Sequence, residues 1–282
     1  MEEDILYVSD LDGTLLNSRE QISPYSLQII NGLIENGMKF TYATARSLSS
    51  ASKVAKGLSV HIPVIIYNGA FIVEADTGKI LYSTGFSKEE QQFAANLLKA
   101  SGLFPLVYTY RDNQEKVLWY PSHENDGIRN YLSARKGDKR MESVKDEDSI
   151  YQGDMFYFTC IGEKEELQAT YEQMKEDPRF RVTFQKELYR SEYWLEIMPA
   201  RASKAVAINE LKKIWKCSKI ISFGDAVNDI PMFQISDQAY AVENAVDELK
   251  KYATDVILSN EQDGVAKWLQ QRSCLAEHKD GT

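Results

Sequence analysis

Over residues 5–69, short runs of consecutive apolar residues alternate with stretches in which apolar residues recur every third or fourth position. Ile5-Leu6-Tyr7-Val8 is a run of the first kind, the pattern of a strand buried on both faces of a parallel sheet. Residues 63–67 repeat it, and 39–43, with Phe40, Tyr42 and Ala43, are read as a further strand. Two stretches with helical spacing lie between these runs. One opens on Ser23-Pro24, a capping serine followed by proline at the first helical position, and carries Leu27, Ile30, Leu33 and Ile34 to a stop at Gly37. The other covers 47–58. The order β-α-β-α-β predicts a doubly wound parallel sheet. Residues 71–73 and 80–83, joined around Asp76-Thr77-Gly78, predict a hairpin.

The rhythm changes at residue 84. A helix is predicted over 87–101, with Phe93, Leu97 and Leu98 on one side. Aromatic-rich strands follow over 104–110 and 117–120, around the turn Arg111-Asp112-Asn113. The pattern then gives a helix over 125–135, a charged surface loop over 136–148, a strand over 155–161, a helix over 163–176 and a strand over 180–185. Such a mixture predicts a separate α+β domain inserted over 84–193. From residue 194 the simpler order returns: a strand over 194–198, a helix over 204–215 and a buried strand over 220–223. A short helix over 229–234 has Pro231 in its first turn. Strands over 239–242 and 255–257 precede a closing helix over 264–271, and the polar residues from Cys274 on are expected to fray. The expected fold is α/β: a Rossmann-like doubly wound sheet built from 1–83 and 194–282, carrying the inserted α+β domain.

The chain has 282 residues, 43% of them hydrophobic, enough to bury a core without disulfide staples. Its formal charge of −9 argues against nucleic acid or an anionic membrane as the main partner. A small anionic substrate stays open, because only the local field of its pocket matters. No apolar run approaches the ~20 residues that span a bilayer, and the acidic start Met1-Glu2-Glu3-Asp4 is unlike a signal peptide. Cys160, Cys217 and Cys274 are odd in number and lack metal-ligand spacing, which fits a reducing compartment. A cytoplasmic location is expected.

Candidate chemistry sits where the apolar runs end. The first run stops at Ser9-Asp10-Leu11-Asp12-Gly13-Thr14, and ligands of open α/β sheets collect at the carboxyl ends of strands. Acids two positions apart face opposite ways on a regular strand, but Gly13 lets the chain turn so that both reach one pocket. Such a pair suits phosphoryl transfer, one Asp attacking phosphorus and the other moving the proton. The gathered anions then require a divalent cation and a lysine. The same D-x-D-G pattern also suits a turn or a calcium loop. Thr44, after the second strand, is placed to donate to a phosphoryl oxygen or to cap a helix. Asn68-Gly69 forms either a plain turn or a ligand loop at the same sheet edge. Lys204 opens a helix, either solvated or as a counter-charge. In Gly224-Asp225-Ala226-Val227-Asn228-Asp229, two acids bracket a strand-to-helix turn, which suits Mg2+ or caps the helix.

Taken together, these stretches resemble the haloacid dehalogenase-like (HAD) phosphatases of the Cof type. Asp10-Leu11-Asp12-Gly13-Thr14-Leu15 is similar to their first motif, Thr44 to the second, Lys204 to the third and residues 224–229 to the fourth. All four occur in order at strand ends, with the insertion between the second and third, as in branches that carry a C2-type cap. The resemblance implies hydrolysis of a small phosphorylated metabolite through an aspartyl-phosphate, with Mg2+ as cofactor. It implies Asp10, Asp12 and Lys204 as catalytic residues, with Asp10 the nucleophile and Asp12 the acid and base. It implies Thr44, Arg46, Asn68, Gly69, Lys204 and Asn228 as substrate or phosphate contacts. Asp10, Asp12 (through its backbone carbonyl), Asp225 and Asp229 are implied as metal partners. Ala45, Ala205 and Ala226 depart from the residues usual in the family, and Glu243 stands where a Gly is frequent. A phosphomutase or phosphotransferase, and a catalytically silent phosphometabolite-binding protein, are the alternatives. The expected assembly is a monomer or weak homodimer. In the inserted domain Tyr108, Tyr110, Trp119, Tyr120, His123, Arg190 and Trp194 are candidates to line a pocket or to fill the core.

Overall fold

The computed structural model describes residues 4–59, 62–111, 114–186 and 191–280. The chain divides into two compact units, Met1–Ser83 with Ser203–Thr282, and Thr84–Ala202. The first unit begins with β1 (Ile5–Ser9), α1 (Pro24–Glu35), β2 (Lys39–Tyr42), α2 (Leu48–Val54), β3 (Pro63–Ile66), β4 (Phe71–Glu74) and β5 (Ile80–Ser83). The second contains α3 (Lys88–Ala100), β6 (Leu106–Arg111), β7 (Gln114–Trp119), α4 (Asp126–Ala134) and β8 (Met141–Ser143), then β9 (Asp154–Gly162), α5 (Lys164–Met174), β10 (Phe180–Lys186) and β11 (Tyr193–Pro199). The chain returns to the first unit with α6 (Lys204–Ile214), β12 (Lys219–Gly224), α7 (Ile230–Ile235), β13 (Gln238–Val242), α8 (Asp247–Lys250), β14 (Asp255–Ile257) and α9 (Gly264–Asp280).

In the first unit the parallel sheet runs in the order β14-β13-β12-β1-β2. β1 sits inside it, with Leu6, Val8 and Ser9 fully buried, as its unbroken apolar run requires. β3 joins through a single parallel bridge, Ala43 to Ile65, and carries β4 and β5 antiparallel to it. Strand order reverses at β1: the chain steps to β2 on one side and later lays β12 on the other. The crevice at the carboxyl ends beside such a reversal is where open α/β sheets bind ligands. α1 starts on the Ser23 hydroxyl, which accepts the Ser26 N–H at 3.0 Å. It ends on Gly37 at φ +94, with the Gly37 and Met38 N–H groups closing on Ile34 and Leu33 carbonyls.

The second unit is a six-stranded sheet in the order β10-β11-β9-β6-β7-β8. Val107, Phe158, Leu195 and Ile197 face a core shared with Ala94 and Leu98 of α3 and Leu167 and Met174 of α5. Tyr108 meets Tyr131 hydroxyl to hydroxyl at 2.6 Å, Trp194 packs on the Tyr131 ring, and His123 stacks on Phe104.

Several expectations change. β11 pairs antiparallel with β10 and β9, so it belongs to the second unit, whose boundary falls after Ala202 rather than at 193. Its alternation of inward Leu195 and Ile197 matches a one-sided antiparallel sheet. The charged stretch 136–148 contains β8, paired in parallel with β7. Its charges are spent across strands: Glu142 binds Arg111 and, at 3.6 Å, Lys116, while Arg140 reaches Glu115 at 2.5 Å. α9 continues to Asp280, since neither Gly nor Pro interrupts 265–280. Arg190 and the Asp112-Asn113 turn lie outside the described residues. Among the described residues no helix is long and apolar enough to cross a membrane.

Candidate active site

Asp10 leaves β1 with its N–H on the Phe223 carbonyl of β12 at 2.9 Å, and its side chain is buried. The chain then turns back on itself, the Leu16 N–H closing on the Leu11 carbonyl at 2.8 Å. The turn depends on Gly13 at φ +76, a conformation costly to residues with a Cβ. A Cβ there would also stand 2.8 Å from Asp225 Cγ. That close approach lets Thr14 Oγ1 donate to Asp225 Oδ1 at 3.0 Å. Two asparagines brace the turn from outside. Asn244 Nδ2 donates to the Gly13 carbonyl at 2.7 Å, and Asn260 Nδ2 to the Leu16 carbonyl at 2.9 Å. Asn244 Oδ1 accepts the Asn260 N–H at 3.1 Å, which links the two.

Lys204 opens α6 and is 1% exposed. Its Nζ donates to Asp10 Oδ1 and, at 2.7 Å, to Asp229 Oδ1. Burial lowers an ammonium's affinity for its proton, but here the Asp10 and Asp229 charges outweigh it and hold Lys204 above its ordinary range. Asp229 is fully buried, and its Oδ2 accepts the N–H groups of Asp225 and Ala226 at 3.1 and 3.2 Å. Burial pushes the Asp10 carboxyl up to about 8; Lys204 pulls it down, and Asp229 and Asp225 push it up again. Burial, then the Asp229 charge, push Asp225 up to about 6 against the pull of Thr14 and Lys204.

Oxygens of Asp10, Asp225 and Asp229 lie within 4.8 Å of one another. Three carboxyl groups face one ammonium, and those of Asp10 and Asp229 are buried, where charge is poorly screened. The donors are all hard oxygens, which suit a small divalent cation. Asp229 is already engaged by Lys204 and two N–H groups, so Asp10 and Asp225 carry the freer oxygens.

The side chain of Asp12 stands outside this group. It is held by Arg46, whose Nε reaches Oδ1 at 3.1 Å and Oδ2 at 2.9 Å and whose Nη2 reaches Oδ1 at 2.6 Å. Arg46 is held in turn by Glu20 at 3.1 Å and Ser50 at 3.3 Å. Hydrogen bonds to Asp12 keep the guanidinium above its ordinary range. With Asp12 48% exposed, such a pair contributes only ~0–1 kcal/mol to stability. The fork therefore fixes a direction more than it fastens the fold. Arg46, expected as a substrate contact, is bonded to Asp12 in this structure.

Thr44 is fully buried, and its hydroxyl accepts the Arg46 N–H at 3.1 Å. It does not cap α2; Ser47 does, accepting the Ser50 N–H at 3.3 Å. The Asn68 N–H donates to the Thr44 carbonyl at 2.8 Å, joining the loops after β2 and β3. Asn68 Oδ1 is buried with no partner among the described residues. Gly69, at φ +96, takes a task that sequence reasoning missed: a Cβ there would stand 2.8 Å from the Lys204 backbone nitrogen. The loop thus packs directly behind the start of α6. Asn228 is exposed on the turn beside Asp229, as are Ala45 and Glu243 at their strand ends. Asn244 and Asn260 were also missed. The bonds they make span 231 and 244 residues, and no local pattern marks them.

The crevice at the carboxyl ends of β1 and β12 thus gathers three carboxyl groups and one lysine. A sequence profile of the haloacid dehalogenase-like hydrolases matches residues 7–269. The chain belongs to that family and is an HAD-like phosphatase. It is 26% identical over 282 residues to the 5-amino-6-(5-phospho-D-ribitylamino)uracil phosphatase YwtE of Bacillus subtilis, covering 93% of this chain and 96% of that protein. A second Bacillus subtilis phosphatase with the same substrate in its name, YitU, is 24% identical over 270 residues, covering 94% and 96%. Among solved structures, TM0651 from Thermotoga maritima superposes with a TM-score of 0.76 at 25% identity, covering 95% of this chain and 97% of that one.

Proposed function

We propose that this enzyme is a Mg2+-dependent phosphatase that hydrolyses a small phosphorylated metabolite through an aspartyl-phosphate on Asp10, in the cytoplasm. The observation that carries the reading is the buried contact of Lys204 with both Asp10 and Asp229, at the carboxyl ends of β1 and β12. Asp10 Oδ attacks phosphorus as the bond to the leaving oxygen breaks, and Asp12 gives that oxygen its proton. Asp12 then takes a proton from water, whose oxygen displaces Asp10 from phosphorus and releases orthophosphate. Lys204 fixes the attacking carboxylate, and Thr44 and Asn68 steady phosphoryl oxygens, with Asn228 at the rim. Asp10, the Asp12 carbonyl and Asp225 would hold Mg2+, with Asp229 behind them, and the ion supplies charge neutralisation at the phosphoryl oxygens. The unit Thr84–Ala202 is proposed as the cap. Two relatives named for 5-amino-6-(5-phospho-D-ribitylamino)uracil support trying that compound as a substrate beside sugar phosphates.

The test is phosphate release over a panel of phosphorylated metabolites. Activity should vanish in EDTA, return with Mg2+, and be absent from Asp10→Asn. Near-normal turnover by Asp10→Asn would remove Asp10 as nucleophile, and turnover indifferent to chelation would remove the metal.

A further inference from the structure

Each guanidinium nitrogen of Arg46 already donates within the protein: Nε and Nη2 to Asp12, Nη2 also to Glu20, and Nη1 to Ser50. Its backbone is equally committed. The N–H donates to the Thr44 hydroxyl, and the carbonyl accepts the Tyr67 N–H at 3.0 Å. Glu20, the outer brace, is presented by a turn in which Asn17 Oδ1 accepts the Arg19 and Gln21 N–H groups at 2.9 and 3.2 Å. Glu20 itself takes a left-handed φ of +54, uncommon for a residue other than glycine. One arginine is thus anchored at the loop after β2 and clamps an acid on the loop after β1.

We propose that Arg46 is a positioning residue for Asp12: its fork sets the plane of the Asp12 carboxyl, so that Oδ2 is the oxygen that exchanges protons with the leaving group and with water. The proposal rests on the reading of Asp12 as acid and base. Oδ1 accepts two donors from Arg46, whereas Oδ2 accepts only Nε, so Oδ2 keeps the freer lone pair. When the phosphorus–oxygen bond breaks, the proton on Oδ2 goes to the leaving oxygen. The proton later taken from water returns to the same atom. Glu20 and Ser50 keep the guanidinium from swinging away. A lysine in place of Arg46 keeps the charge but cannot form the two-sided fork.

Leaving groups separate this role from a phosphate contact. A p-nitrophenolate departs without a proton and an alkoxide does not, so only alkyl phosphates need the acid. Comparison uses kcat/KM, which reports steps through formation of the aspartyl-phosphate and excludes the water step. Asp12→Asn should lower kcat/KM for an alkyl phosphate by about 10²- to 10⁴-fold relative to p-nitrophenyl phosphate. Arg46→Ala should lower the same ratio by about 10- to 100-fold, as misplacement of a reacting group does. Arg46→Lys should not restore it, Glu20→Gln should lower it less, and Arg46→Ala should add nothing in the Asp12→Asn background. A partly unfolded variant lowers both substrates by one factor and leaves the ratio alone. An equal loss on both substrates for Arg46→Ala, with KM raised for each, would make Arg46 a phosphate ligand and overturn the proposal. A ratio unmoved by Asp12→Asn would instead overturn the acid role of Asp12, a failure of the underlying reading that this variant alone reveals.

Discussion

Lys204→Met tests whether the site is held by charge or merely by packing. The substitution keeps most of the side-chain volume and removes the ammonium between Asp10 and Asp229, two carboxylates buried almost completely. Breaking a buried ion pair by deleting one partner costs about 3–5 kcal/mol, because the remaining charge is left without compensation. Asp229 keeps the N–H groups of Asp225 and Ala226, so the low end, about 3 kcal/mol, is expected. For a body of this size each kcal/mol lowers Tm by about 2–4 °C, which gives a fall of roughly 6–12 °C. The assay is thermal unfolding in EDTA of the wild type, Lys204→Met, Asp229→Asn and the double variant. Asp229→Asn removes one of the stranded charges, so the double variant should be less destabilised than the sum of the singles, with a coupling of roughly 0.5–3 kcal/mol. Saturating Mg2+ should narrow the gap between Lys204→Met and wild type, since a cation that binds the folded site replaces part of the lost charge. A Lys204→Met protein within about 1 kcal/mol of wild type in EDTA, with additive singles, would refute the electrostatic account.

Gly13→Ala should cost at least about 1–2 kcal/mol for the left-handed backbone alone. It should also abolish phosphate release, because the new Cβ displaces Asp225; a stable and active variant, by melting and turnover, would contradict the close approach. Gly69→Ala should lower turnover more than it lowers Tm, because its Cβ meets the start of α6 and shifts Lys204; parallel melting and phosphate-release curves decide it. In the second unit, burial would raise Glu90, but Arg201 at 2.7 and 2.8 Å and the Ser87 N–H at 2.7 Å outweigh it and hold the carboxyl below its ordinary 4.5. A folded value below the unfolded one contributes stability that is present above pH 4.5 and is lost as pH falls through the folded value. The Tm advantage of wild type over Glu90→Gln should therefore shrink in acid; an advantage that grows as pH falls would reverse the sign.

What could be read in the sequence was whatever is written locally. Ser23-Pro24 and Gly37 mark both ends of α1, and the buried run before Asp10 places that residue at a strand end. Four such ends, taken together, pointed to one crevice, and the Lys204 contacts with Asp10 and Asp229 meet there. What could not be read depends on partners far along the chain. Arg46 pairs with Asp12 across 34 residues, and nothing in Thr44-Ala45-Arg46 says whether the guanidinium meets a ligand or an acid of the same protein. The allegiance of β11 was misjudged because its residues are apolar almost without a break, Glu196 apart, as in a strand buried within a parallel sheet, and the antiparallel partners β10 and β9 decide it. β8 was hidden by its charges, which look solvated until Arg111 and Lys116 are seen opposite Glu142.

The position of Lys204 within α6 is itself an argument for chemistry. A helix carries partial positive charge at its amino end, and a cation in the first turn is disfavoured there by ~0.3–1 kcal/mol. Lys212 and Lys213 occupy the last turn, where the dipole welcomes them. Lys204 stands at the opposite end, in the first helical position and out of water. Nothing in helix formation or in packing asks for it. Among the described residues, the carboxylates of Asp10 and Asp229 offset the double cost of burial and dipole, and Gly69 clears the space behind it. A lysine kept for stability would have been placed where solvent and dipole agree, so this one is explained by the two acids it holds.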